Sequence, residues 1–319
     1  MLKIIVGIIL LFIIADFLVA YKLFKIAFVN TTNRSQAMSA EHNVIPTADD
    51  EAEKNLQNTK ENWLNETIEK KVYITSHDGL KLVGFQYFTE SLSNHWAILI
   101  HGFDSQHQEM FDKAPFFQAL GFNLLLPDAR AHGESDGKYI GFGWPEREDI
   151  KQWIDFILSQ DTDAEIILYG VSMGGATAMM TAGEKLPKQV VAVIEDCGYS
   201  SVAEELAYQL KQLFNLPAFP LIPTVSIINY FHQGWWLREA SSTKQLAKTR
   251  LPVLFIHGTE DRFVPFEMMQ ENYLATPTAK RVLTVEGAQH AKAGVTAGSV
   301  YWETVKEFLT ENTDMKNLD

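Results

Sequence analysis

A single cysteine, Cys197, stands in a chain of 319 residues, which excludes an internal disulfide and any zinc site built on cysteine thiolates. Basic residues are also scarce. Lysine and arginine number 27 against 40 aspartates and glutamates, a formal charge of -13, and no basic run offsets the deficit. Phosphate backbones call for the opposite balance, so nucleic acid is excluded as a partner and a small uncharged or apolar molecule fits better. No internal repeat is found. What remains, 46% hydrophobic and 21% charged residues, suits one large domain with an appendage.

Long apolar runs are absent with one exception, "IIVGIILLFIIADFLVAY", Ile4 to Tyr21, with Lys3 before it and Lys22 and Lys25 after it. Its length matches the hydrocarbon core of a bilayer, and the spacing predicts a single transmembrane helix within residues 1–29. The rival is a cleaved signal peptide ending in the small residues "SQA" at Ala37, but that site lies far beyond the apolar run. Asp16 is the discordant residue and is expected near the interface, where it stays hydrated. Lysines on both sides give the charge rule no preferred orientation. An anchor at the extreme N-terminus of a long domain is expected to put that domain on the extracellular side of the cell membrane. Residues 30–65 read as a polar tether with no apolar periodicity before "NWLNETIE". A chain starting near Asn62 is accordingly expected to be soluble and active.

From Lys70 onward the pattern changes. "KVYITS" and "KLVGFQYF" flank a His77-Asp78-Gly79 turn and predict a hairpin. "WAILIHG", "NLLLPD", "EIILYG", "VVAVIED" and "PVLFIHG" are nearly continuous apolar runs, as expected of strands buried on both faces of a parallel sheet. Helix-length segments intervene, such as "EREDIKQWIDFILSQ" with Ile150, Trp153, Ile154 and Ile157 at helical spacing. The class is α/β, a mostly parallel, doubly wound sheet in residues 66–319. Ligands in such sheets gather beyond the carboxyl ends of the strands.

The residues with chemistry to offer fall at those ends. "GVSMGG" sets Ser172 between Gly170 and Gly174 where a strand meets a helix, a turn so sharp that a flanking side chain would clash. A serine hydroxyl is a weak nucleophile until an imidazole takes its proton and a carboxylate holds that imidazole in one tautomer. Asp261 follows "PVLFIHG" and His290 follows "RVLTVEG", so Ser172, Asp261 and His290 occur in the chain order of an α/β-hydrolase triad. Asp196, in "VIEDCGYSS", is the competing acid. An oxyanion needs two pre-aimed donors, expected to be the backbone N–H groups of Met173 and Phe103. His101 reads as a structural hydrogen-bonder, and Arg130, His132 and Gly133 in "DARAHGESDG" read as the builders of a tight turn.

Taken together, "HGFD", "DARAHGES", "GVSMGG", "HGTEDRFVP" and "GAQH" resemble the α/β-hydrolase superfamily. The likeness is to membrane-anchored "cell surface" serine hydrolases of Gram-positive bacteria, related to serine aminopeptidase-like and monoacylglycerol-lipase-like hydrolases. That resemblance implies an α/β-hydrolase fold with Ser172 as nucleophile, Asp261 as acid, His290 as base and Phe103 and Met173 as oxyanion donors, with no metal or cofactor. The stretch from about Val202 to Glu239 is too long for an ordinary connection and predicts an inserted lid. Its Phe214, Phe219, Trp235 and Trp236 are candidates to line an acyl pocket; the alternative is a helix pair that only covers the sheet. The expected activity is hydrolysis of a small-molecule ester through an acyl-enzyme. A peptidase or amidase with the same residues, or a noncatalytic surface-binding module, are the alternatives.

Overall fold

The structure is a computed structural model and describes residues 1–30, 50–89 and 93–314. The hairpin forms as expected: β1 (Lys70–Thr75) pairs antiparallel with β2 (Lys81–Tyr87). β3 (His95–Ile100), β4 (Asn123–Pro127), β5 (Glu165–Val171), β6 (Val190–Asp196), β7 (Val253–Gly258) and β8 (Lys280–Val285) extend it into one sheet of order β1-β2-β4-β3-β5-β6-β7-β8. β2 runs antiparallel to β4, and every pair from β4 to β8 is parallel.

The apolar runs divide between two faces because side chains alternate along a strand. Ile98, Ile166 and Leu168 point into one core, where helix α4 (Glu146–Gln160) buries Trp153, Ile154 and Ile157. Ala97, Leu99, Ile167 and Tyr169 point into the other, closed by α11 (Ser299–Asn312) through Tyr301, Val305 and Phe308. Parallel register aligns the strand exits: Val171 lies beside Asp196, and Gly258 beside Val285. Loops leaving β5, β7 and β8 therefore emerge along one edge of the sheet.

Helix α1 (Leu2–Phe28) contains the apolar run and is, among the described residues, the one helix long and apolar enough to cross a membrane, with mean hydropathy 2.8. It has two parts. From Leu2 to Val19 its side chains are exposed or, at Gly7 and Asp16, half-exposed, whereas Ala20, Phe24 and Phe28 form a buried stripe at four-residue spacing. The stripe packs on α7 (Leu221–Gln233), the second helix of the segment expected to be a lid; the first is α6 (Val202–Phe214).

The segment expected to be a polar tether contains a helix. Residues 31–49, including the "SQA" site, lie outside the described residues, but Asp50–Glu66 forms helix α2. Its sequence is rich in good helix formers but carries little apolar surface, so no periodic stripe announces it. Trp63 docks it, buried with its ring centroid 4.8 Å from that of Tyr87 and 5.5 Å from that of Phe111.

Candidate active site

Strand β5 ends at Val171, and helix α5 (Met173–Ala182) begins two residues later, with Ser172 alone making the turn. Its backbone sits at φ 57°, ψ -118°, a conformation that costs a non-glycine residue strain energy and is typical of a serine thrust out of a strand-to-helix elbow. The flanking glycines are required by contact. A β-carbon on Gly170 would collide with the Gly174 carbonyl, and one on Gly174 with the Ile100 carbonyl. The Ser172 amide donates to the Asp196 carbonyl at 2.7 Å, tying the elbow to β6.

Ser172 Oγ lies 2.8 Å from His290 Nε2, and His290 Nδ1 lies 2.7 Å from Asp261 Oδ2. The three residues come from the exits of β5, β7 and β8 and form one continuous hydrogen-bond chain. Asp261 is held from several sides, its Oδ1 accepting from the amides of Phe263 and Val264, each at 2.9 Å. Burial alone would raise its pKa, but the charges and hydrogen bonds of His290 and His257 outweigh that and hold the carboxyl well below its usual range. It is an ionised acceptor, as an imidazole-orienting group must be. Sequence reasoning misses His257. Its Nε2 sits 3.4 Å from Asp261 Oδ2 and 2.9 Å from the Val264 carbonyl oxygen, bracing the Asp261 loop from the end of β7.

Asp196, the competing acid, is directed elsewhere. Its Oδ2 accepts from the Tyr301 hydroxyl at 2.7 Å, and Tyr301 bonds Tyr169 in turn, on the other face of the sheet. Burial raises its pKa. His101 is fully buried: its Nε2 accepts from the Ala129 amide at 3.0 Å and its Nδ1–H donates to the Gly102 carbonyl at 2.7 Å, while burial lowers its pKa. This neutral ring shapes the loop that carries Phe103. Arg130 makes a two-pronged pair with Asp149 at 2.7 Å and reaches Asp78 at 2.9 Å, so it ties the loop after β4 to α4 and to the hairpin turn. The Met173 amide is the first of α5 and has no acceptor within its own helix. The Phe103 loop passes directly beside Ser172, since a β-carbon on Gly102 would be 3.5 Å from Ser172 Cβ.

Above Ser172 lies an apolar cavity, walled by Phe103, Phe142 and Phe263 from the sheet-edge loops, by Leu210 and Phe214 from α6, and by the end of α1. Of the four lid aromatics expected to line it, Phe214 alone does so. Trp235 is buried behind the cavity against Phe28, Trp236 stacks on Tyr230 at 4.4 Å, and Phe219 is exposed at the tip between α6 and α7. Aromatic content identifies the segment, but only Phe214 lies on a helix, and the path of the turns that carry Phe219, Trp235 and Trp236 decides which rings face the cavity. Glu205 also lines the cavity; burial pushes its pKa up to about 8, with Gln209 as hydrogen-bond partner at 2.9 Å.

Comparison with known proteins agrees with this architecture. Residues 94–238 match the family model of serine aminopeptidases, S33. YqkD of Bacillus subtilis is 29% identical over 251 residues, covering 78% of this chain and 82% of that one. A Saccharomyces cerevisiae relative named as a membrane protein, YNL320W, is 24% identical over 203 residues, 61% of this chain and 63% of its own length. Among solved structures, the Pyrococcus furiosus esterase Pf2001 superposes with a TM-score of 0.62 at 24% identity, covering 81% of this chain and 93% of that one. The fold implied by the sequence motifs is the fold observed.

Proposed function

We propose that this chain, an α/β hydrolase, is a serine hydrolase that cleaves carboxylic esters with an apolar acyl part through an acyl-enzyme. The observation that carries the reading is the unbroken chain from Ser172 Oγ through His290 to Asp261 at the floor of an apolar cavity. Ser172 Oγ attacks the ester carbonyl as its proton passes to His290 Nε2; Asp261 fixes the tautomer and stabilises the imidazolium. The amides of Met173 and Phe103 receive the developing oxyanion. Collapse expels the alcohol, which takes the proton from His290. Water, deprotonated by the same imidazole, then attacks the acyl carbonyl and frees the acid and Ser172.

A peptidase acting on free amino termini is the second reading, favoured by the serine aminopeptidase model. Such an enzyme needs an ionised carboxylate for the substrate ammonium. The cavity lining is almost entirely apolar and its acidic side chain, Glu205, is paired with Gln209, which supports the ester reading. We read α1 as a retained single-pass anchor, with the catalytic domain on the extracellular side. Cleavage as a signal peptide would strip away the buried Phe24 and Phe28. A fluorophosphonate probe should label wild-type protein and leave Ser172→Ala unlabelled. Equal labelling of the two would refute the nucleophile assignment.

A further inference from the structure

The cavity above Ser172 is closed on one side by Leu23, Ile26, Ala27 and Phe28, which belong to α1 and not to the hydrolase domain. The attachment is extensive. Phe24 stacks on His232 at 5.0 Å, Phe28 meets Phe142 edge-on at 4.9 Å, the Phe28 carbonyl accepts from the Ile140 amide at 2.8 Å, and Asn30 Nδ2 donates to the Ala131 carbonyl at 2.5 Å. Asp16, discordant within an apolar run, accepts from Thr224 Oγ1 at 2.6 Å.

These contacts also orient the cavity. Asp16 meets the start of α7, Phe24 its last turn and Phe28 the Trp235 just beyond, so α7 runs in the same direction as α1. The turn between α6 and α7 therefore points back toward the exposed span. It carries Phe219, 78% exposed, and follows Phe214, 47% exposed, the last residue of α6. The exposed span, Leu2 to Val19, is about 27 Å long at 1.5 Å per residue, close to the thickness of a bilayer core. Lys22 and Lys25, both exposed, follow it immediately and mark the headgroup level. The cavity-lining residues most open to the outside are Ile26, which directly follows Lys25, and Leu213 and Phe214 at the end of α6, while Met173 and Ser172 are buried.

We propose that the anchor is part of the binding site: the last two turns of α1 wall the acyl cavity, and the cavity fills from the bilayer, with an ester whose acyl chain is resident in the membrane. This rests on the serine esterase reading and names its substrate class. The hydrocarbon chain passes between Ile26 and Phe214 without crossing water, and its carbonyl reaches Ser172 at the cavity floor.

Full-length protein in phosphatidylcholine vesicles provides the test. A fluorogenic long-chain acyl ester placed in the same vesicles as the enzyme should turn over at least tenfold faster than the same ester in separate vesicles; equal rates would overturn entry from the bilayer. With p-nitrophenyl esters in detergent, Ile26→Trp should lower the ratio of octanoate to acetate kcat/KM at least tenfold, and the smaller change Ile26→Ala about threefold. Leu11→Trp, in the exposed span, should leave that ratio unchanged. An unchanged ratio in both Ile26 variants would overturn the wall assignment. Fluorophosphonate labelling of wild type reads the underlying catalytic assignment separately: an unlabelled wild type sinks the esterase reading, whereas labelling with unaltered ratios sinks only the role of α1.

Discussion

Asp261 and Asp196 leave adjacent strands and are both buried, yet their surroundings give them opposite electrostatics. Two histidines and two amides stabilise the charge on Asp261, whereas Asp196 accepts from the Tyr301 hydroxyl and has its pKa raised by burial. Asp261→Asn should lower kcat by about 10⁴ by presenting the imidazole with the wrong partner, and Asp196→Asn should have a small effect; steady-state rates with p-nitrophenyl butyrate decide between them. Buried carboxyls outside the chain of three affect stability instead. Glu195 and Glu205 have pKa values pushed by burial from 4.5 to about 8. A carboxyl that holds its proton more tightly when folded gives its full contribution below its unfolded pKa and loses it as pH rises through the folded one. Thermal midpoints should therefore fall by a few degrees or more between pH 5 and pH 8.5, and the double variant Glu195→Gln with Glu205→Gln should flatten that slope.

At the scale of elements, α6 and α7 do two jobs that the lid expectation merges. Both helices wall the cavity, α6 through Leu210 and Phe214 and α7 through Ile222 and Val225, and α7 also turns Leu221, Val225 and Ile228 into the cluster that seats α1. The lid aromatics should accordingly separate. Phe214→Ala should lower the gain in kcat/KM per added acyl carbon, a gain of several-fold where each methylene contributes about 0.8 kcal/mol. Trp235→Ala should leave that gain in place and instead destabilise the fold by about 3–5 kcal/mol, measured by chemical denaturation. Phe219→Ala should change neither with esters dissolved in water, because the ring stands outside the cavity.

For the whole molecule, the consequence is that α1 and the hydrolase domain are one packed body. Sequence alone leads one to expect a soluble active domain once residues 1–61 are removed. In the structure that removal also takes Phe24 and Phe28 from beside Tyr139, Phe142 and Trp235 and opens one side of the cavity. A chain beginning at Asn62 should hydrolyse p-nitrophenyl acetate with a lowered thermal midpoint and a flattened dependence on acyl length. Retention of the full-length midpoint and profile would mean that α1 is a tether alone.

The sequence by itself determined the sheet, the elbow and the order of the three site residues. Each depends on local chemistry: continuous apolar runs, glycines where a β-carbon cannot fit, and polar residues directly after strands. It also determined that Ile4 to Tyr21 is apolar enough to span a bilayer. Only the tertiary structure decided which carboxylate meets His290, because Asp196 and Asp261 both follow strands and their side-chain directions depend on loops that periodicity does not describe. The roles of Trp63, His257 and the Leu23–Phe28 wall were equally illegible. Each acts through a partner at least four residues away and often across the chain, as Phe28 does with Phe142 and Trp235. Apolar residues at the end of an apolar run read the same whether they face lipid or protein, and only packing against α7 and the 138–142 loop makes them part of the cavity above Ser172.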